Sequence, residues 1–103
     1  MAFLPLDGPS LQGQHTLTTS TVFRVKVGSL EMEERDVVTI QSLTGNIWVF
    51  FGDEVNVPTS SDVRDKGFMQ VKNTIASYEA GTKQQIYILA DTITCDIRFA
   101  ERG

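Results

Sequence analysis

Period-two alternation of apolar and polar positions runs through most of the chain, and it predicts strands. From Thr21 to Val27, Phe23, Val25 and Val27 share one face while Arg24 and Lys26 take the other. Asp36 to Leu43 sets Val38 and Ile40 against Val37, Thr39 and Gln41. Ile47 to Phe51 is apolar on both sides, as a central strand covered on each face should be. Gly67 to Val71 and Thr74 to Tyr78 are shorter candidates. Gln85 to Ala90 opposes Ile86 and Ile88 to Tyr87 and Leu89. In the last run Ile93, Cys95, Ile97 and Phe99 point one way, and Thr94, Asp96 and Arg98 the other.

The punctuation between these runs fits short strands. Thr44-Gly45-Asn46 is the brief, glycine-containing connection that hairpins favour, and Ala80-Gly81-Thr82 and Asp91-Thr92 separate later runs. Pro58 to Asp65 is polar and opens on proline, which predicts a surface loop. Leu30 to Asp36 has length for one helical turn, but its acids leave no apolar stripe. The expectation is an all-β fold: an antiparallel β-sandwich, jelly-roll-like, with seven to eight short strands.

One segment stands apart. Residues 1–14 contain Pro5, Gly8, Pro9 and Gly13, which block a helix and a central strand, yet also carry Phe3, Leu4, Leu6 and Leu11. These residues read as an N-terminal arm before a sandwich domain over 15–103. An irregular but apolar arm folds back on its own sandwich or lies on another chain. The second reading makes Phe3, Leu4, Leu6 and Leu11 the candidate partner-binding residues.

Composition narrows the function classes. The 103 residues make one domain with a modest core. No apolar run reaches the ~20 residues of a membrane helix. The opening residues also lack the basic start and apolar stretch of a signal peptide. With 9 Lys+Arg against 13 Asp+Glu the net charge is −4, and the bases are scattered. A phosphate-tracking surface needs a clustered positive field, so neither nucleic acid nor a membrane is expected as a partner. A single cysteine, Cys95, precludes an intrachain disulfide, and no glycosylation sequon follows Asn46, Asn56 or Asn73. Assembly in a reducing cytoplasm fits these features.

Reactive chemistry has few places to sit. His15 is the sole histidine, with no neighbouring group to complete a nucleophilic triad. Cys95 falls on the inward face of its strand, where a thiol acts as a small hydrophobe. One Cys and one His do not make a zinc site. Asp53, Glu54 and Asp62 flank one loop but match no calcium-loop spacing. The run Glu31, Glu33, Glu34, Asp36 reads as a solvated face, and Gly8 to Gly13 lacks the Lys-Ser/Thr ending of a phosphate loop. No catalytic residue, cofactor or metal is therefore expected, and no enzyme. Trp48 and Phe50 share a strand face and are candidate interface aromatics. With Tyr87 they also make the candidate stacking platform of a carbohydrate-binding alternative.

Several strand phrases carry a family resemblance: Thr16-Leu-Thr-Thr-Ser20, Gly45-Asn-Ile-Trp-Val-Phe-Phe-Gly-Asp53, Lys66-Gly-Phe-Met69, Gln85-Ile-Tyr-Ile-Leu-Ala-Asp-Thr92 and Cys95-Asp-Ile-Arg-Phe99. Together they resemble small β-sandwich structural proteins of tailed-bacteriophage virions, over roughly residues 16–100, with the arm outside. The resemblance implies a place in the virion, reached from assembly in the host bacterial cytoplasm. It implies a decoration (cement) protein that forms a homo-oligomer (dimer or trimer) and contacts the major capsid protein or another virion protein. The alternative it leaves open is a tail, neck or fibre-associated module that binds a receptor or carbohydrate.

Overall fold

The computed structural model describes residues 10–26, 37–53, 55–80 and 84–102. Phe3, Leu4 and Leu6, the Leu30–Asp36 segment with its acidic run, and Glu54 lie outside the described residues. Eight strands and one short helix follow in the order β1 (Ser10–Leu17), β2 (Phe23–Arg24), β3 (Val37–Ser42), β4 (Ile47–Gly52), α1 (Ser60–Lys66), β5 (Phe68–Gln70), β6 (Ile75–Glu79), β7 (Gln85–Ala90) and β8 (Cys95–Arg102).

These strands make two four-stranded antiparallel sheets, ordered β1-β8-β3-β6 and β2-β7-β4-β5. The pairing has a simple logic: β1 meets β8, β2 meets β7, β3 meets β6 and β4 meets β5. One long hairpin folded across itself produces this set, and the added β3–β8 and β4–β7 ladders close each sheet. The result is a jelly roll, the all-β sandwich expected from the alternation.

Burial follows the pleat. On β3, Val38, Ile40 and Ser42 are buried while Val37, Thr39 and Gln41 are half-buried. On β8, Cys95, Ile97, Phe99 and Glu101 point inward, between exposed Asp96 and Arg98. Leu17, Val25, Val38, Ile40, Ile47, Val49, Ile86, Ile88 and Ile97 fill the space between the sheets. β7 is buried at all six positions, because its outer face carries a second cluster of Tyr87 and Leu89 against Val63 of α1. A strand covered on both faces by sheet and helix explains why β4 and β7 read as apolar on both sides.

The structure departs from the sequence reading in five places. Pro58–Asp65 is not a plain loop, since Ser60–Lys66 forms α1. Thr59 caps it: its side chain accepts from the Asp62 N–H while the Asp62 carboxylate accepts from the Thr59 N–H, a reciprocal capping box. The Thr44–Asn46 connection is not a hairpin, because β3 and β4 belong to different sheets and the turn carries the chain across the sandwich. Ile93 is 57% exposed and precedes β8 rather than joining its inward face. Among the described residues of the Thr21–Val27 run, a ladder forms only at Phe23–Arg24, prolonged by the bond from the Val25 N–H to the Ile86 carbonyl. Finally, residues 10–14, read as the end of the arm, are the first part of β1 and pair in register with Arg102 to Arg98. A glycine in this strand is tolerated because β1 lies at the sheet's edge.

Candidate functional site

Each sheet ends in two edge strands, so the sandwich has two lateral sides: β1 with β2, and β5 with β6. The first is sealed by stacked rings. His15 lies face to face on Phe23 at 3.8 Å between centroids, and Phe23 meets Phe99 at 5.7 Å. Phe99 comes this close to β1 because position 13 has no side chain: a Cβ on Gly13 would stand 2.8 Å from the Phe99 ring. His15 is thus an exposed packing residue with an aromatic partner. Leu11 takes its place in β1 opposite Glu101.

The second side is sealed from within by polar bonds and left apolar outside. Gln70 is buried, donates to the Ile40 and Thr74 carbonyls at 2.8 and 3.2 Å, and accepts from the Tyr78 hydroxyl at 2.8 Å. These bonds tie β5 to β3 and β6 across the sandwich. Burial pushes the Tyr78 phenol above its ordinary range. The Phe51 ring meets Tyr78 at 5.5 Å and Phe68 at 6.3 Å. Outside this seal Phe68 is 67% exposed, Ile75 66% and Val71 56%. Lys72 is exposed between the last two. Sequence reasoning passed over this rim, because alternating short strands look alike whether their apolar faces are covered or bare.

Trp48 and Phe50 do share a face, the outer face of the second sheet. Both are half-buried there, packed on the cluster of Val63, Tyr87 and Leu89 beneath α1. The Trp48 indole N–H donates to Asp91 Oδ1 at 2.9 Å. Arg64 of α1 binds the same corner, donating to the Asp91 carbonyl at 2.9 Å and the Thr19 carbonyl at 2.7 Å. Tyr87 is 1% exposed and its hydroxyl donates to the Asp53 carbonyl, so its ring offers no face to a sugar.

Two of the carboxylates noted as a calcium candidate, Asp53 and Asp62, act as backbone acceptors. Asp53 accepts from the N–H groups of Val55 and Asn56 and from the Asn56 amide. The bonds from Asn56, then that from Val55, hold its carboxyl below the usual range. Thr59 does the same for Asp62. Among the described residues no group of three or more His, Cys, Asp or Glu side chains converges as a metal site would require. Cys95 is buried, with its thiol at 3.3 Å from the Gly45 carbonyl. The outer face of the first sheet holds a shallow groove of ≈ 410 Å³, lined among others by Gln12, Thr39, Gln41, Ile75, Arg98 and Arg102. No helix among the described residues is long and apolar enough to cross a membrane.

The arrangement presents two lateral sides. It offers an edge strand continuous with an apolar segment on one side, and an apolar rim on the other. No protein-family model matches the chain. No curated protein matches it in sequence. Among solved structures, one described by the words "Bacillus endospore appendages form a novel family of disulfide-linked pili" aligns over 99% of this chain and 96% of its own, at 10% identity and a TM-score of 0.41. That likeness is too loose to say what this chain does.

Proposed function

We propose that the chain is a structural, non-enzymatic protein of a tailed-bacteriophage virion: a capsid decoration (cement) protein that stabilises the head through oligomer and arm contacts. Its partners in this reading are further copies of itself and the major capsid protein or another virion protein. The strand phrases that resemble such proteins lie in β1, β4, β5, β7 and β8 and in the turns beside them.

One observation carries the reading. Thirteen buried residues among those described occupy the space between the sheets, and no buried side-chain nitrogen or oxygen of the described residues lacks a hydrogen-bond partner. In this reading the apolar groups of Phe3, Leu4 and Leu6 meet an outside surface. Small interfaces repeated over a symmetric shell gain avidity through effective concentration, which suits an 11.4 kDa module.

Quantitative mass spectrometry of purified virions tests this. A copy number matched to the repeating positions of the capsid shell supports decoration. A handful of copies overturns it in favour of the tail, neck or fibre reading, and absence from the particle overturns both.

A further inference from the structure

We infer that residues 2–7 of one copy dock on the β5–β6 side of a neighbouring copy, so that the chain associates head to tail with itself. This names the arm's partner within the reading above and rests on it only for the arm's role. The docking surface consists of Phe68, Val71 and Ile75, with the edge of β6 that no described strand pairs.

The surface suits an extended apolar segment. Among the described residues β6 pairs with β3 alone, so its other edge presents backbone donors and acceptors to a further strand. Phe3, Leu4 and Leu6 provide the apolar groups. In an extended segment Leu4 and Leu6 fall on one side, two residues apart. Pro5 is compatible with such a strand at an edge, where its missing N–H faces away from the ladder. Charge agrees as well: Asp7 is the single charged side chain among residues 1–9, and Lys72 stands exposed between Val71 and Ile75.

Geometry favours a neighbour over the same molecule. Ser10 lies opposite Arg102, Arg102 opposite Val37, and Val37 opposite Glu79. Ile75 lies opposite Gln41, Arg98 and Gln14, at the other end of the sheet and on its other edge. Three strand spacings across amount to about 14 Å, and four residues along β6 to about 14 Å more. The two displacements are perpendicular, so Ser10 and Ile75 are about 20 Å apart. Leu6 is four residues from Ser10 and Phe3 seven, so their extended reach is about 14 and 25 Å. Leu6 falls short of that distance, so a molecule's own segment does not lay Phe3, Leu4 and Leu6 together over Val71 and Ile75. Its neighbour's segment has no such tether. An interface between two different surfaces is heterologous, and it repeats until the rotation closes a ring.

The test uses purified full-length chain and two variants, with mass read by light scattering and folding checked by circular dichroism. One variant lacks residues 2–9, which spares β1, and the other carries Phe68→Asp at an exposed position. The full chain should show a mass above one copy, and each variant alone should be monomeric and folded. Mixed, the two variants should form a heterodimer, since one keeps the segment and the other the surface. A monomeric full chain, a variant that still self-associates, or a folded mixture that stays monomeric overturns the inference. If Phe68→Asp fails to fold, Ile75→Asp takes its place in the same mixture. Self-association without any affinity for phage heads would sink the decoration reading and leave this one standing. Binding of heads by a lone monomer would do the reverse.

Discussion

Single atoms set tight limits where α1 meets the second sheet. A Cβ on Gly67 would lie 2.4 Å from the Val63 carbonyl oxygen and 2.8 Å from that of Val49. Both obstacles are backbone, so neither yields by a rotamer change. Gly67→Ala should therefore cost about 1–3 kcal/mol or more, seen as a lower urea midpoint at unchanged slope. Arg64 makes a different kind of prediction. Its guanidinium joins the Thr19, Ala90 and Asp91 carbonyls, and Asp91 in turn holds the indole of Trp48. Arg64→Ala should cost about 1–3 kcal/mol. Because Trp48 is the single tryptophan, its emission should shift to the red in the same variant. Arg64→Lys should recover only part of the loss, because an ammonium lacks the planar fork that spans three carbonyls.

At the scale of elements, α1 depends on its cap more than on its length. Seven residues with one buried side chain, Val63, have little propensity to persist alone. Thr59→Ala should destabilise the protein by about 1 kcal/mol, measured by thermal or urea unfolding. The companion Asp62 adds a pH dependence. Its carboxyl is held low by bonds from Thr59, so its contribution is fully present above the ordinary value of 3.8 and is lost as pH falls through the lower folded value. The stability gap between the native chain and Asp62→Ala should thus be constant at neutral pH and close in acid. The same region shows where the sequence was hard to read. Thr59-x-x-Asp62 was a usable helix-start signal, but Pro58 and the serines around it read equally well as loop. β3, β4, β7 and β8 were legible because two or more inward positions in each are large and apolar. In β1 the inward positions 13 and 15 are Gly13 and His15, and these carry no alternation at all. Sheet order was invisible for a further reason: a turn such as Thr44–Asn46 has the same composition whether it closes a hairpin or crosses between layers. The bare rim at Phe68, Val71 and Ile75 was illegible on the same account, since exposure at an edge is a property of strand order.

At the scale of the whole molecule, the described strands begin at Ser10. β1 is the outermost strand of its sheet, yet its register with β8 is continuous from Ser10–Arg102 to Leu17–Cys95. Removing residues 2–9 takes away none of that ladder and none of the thirteen core residues. Removing residues 2–13 deletes the pairing of Ser10 to Gly13 with Arg102 to Phe99 and strips the strand that passes beside the Phe99 ring, which is 6% exposed. Uncovering a large aromatic in this way costs about 2 kcal/mol, and at roughly 4–8 °C per kcal/mol the melting temperature should fall by about 10 °C. The shorter deletion should melt within a few degrees of the full chain when both are compared as monomers, at concentrations low enough to suppress association. Differential scanning calorimetry on the three chains decides the matter. Equal and large losses from both deletions would mean that residues 2–9 belong to the fold. A large loss from the longer deletion alone leaves the first nine residues free to serve another surface, which is what a module built to join an assembly requires.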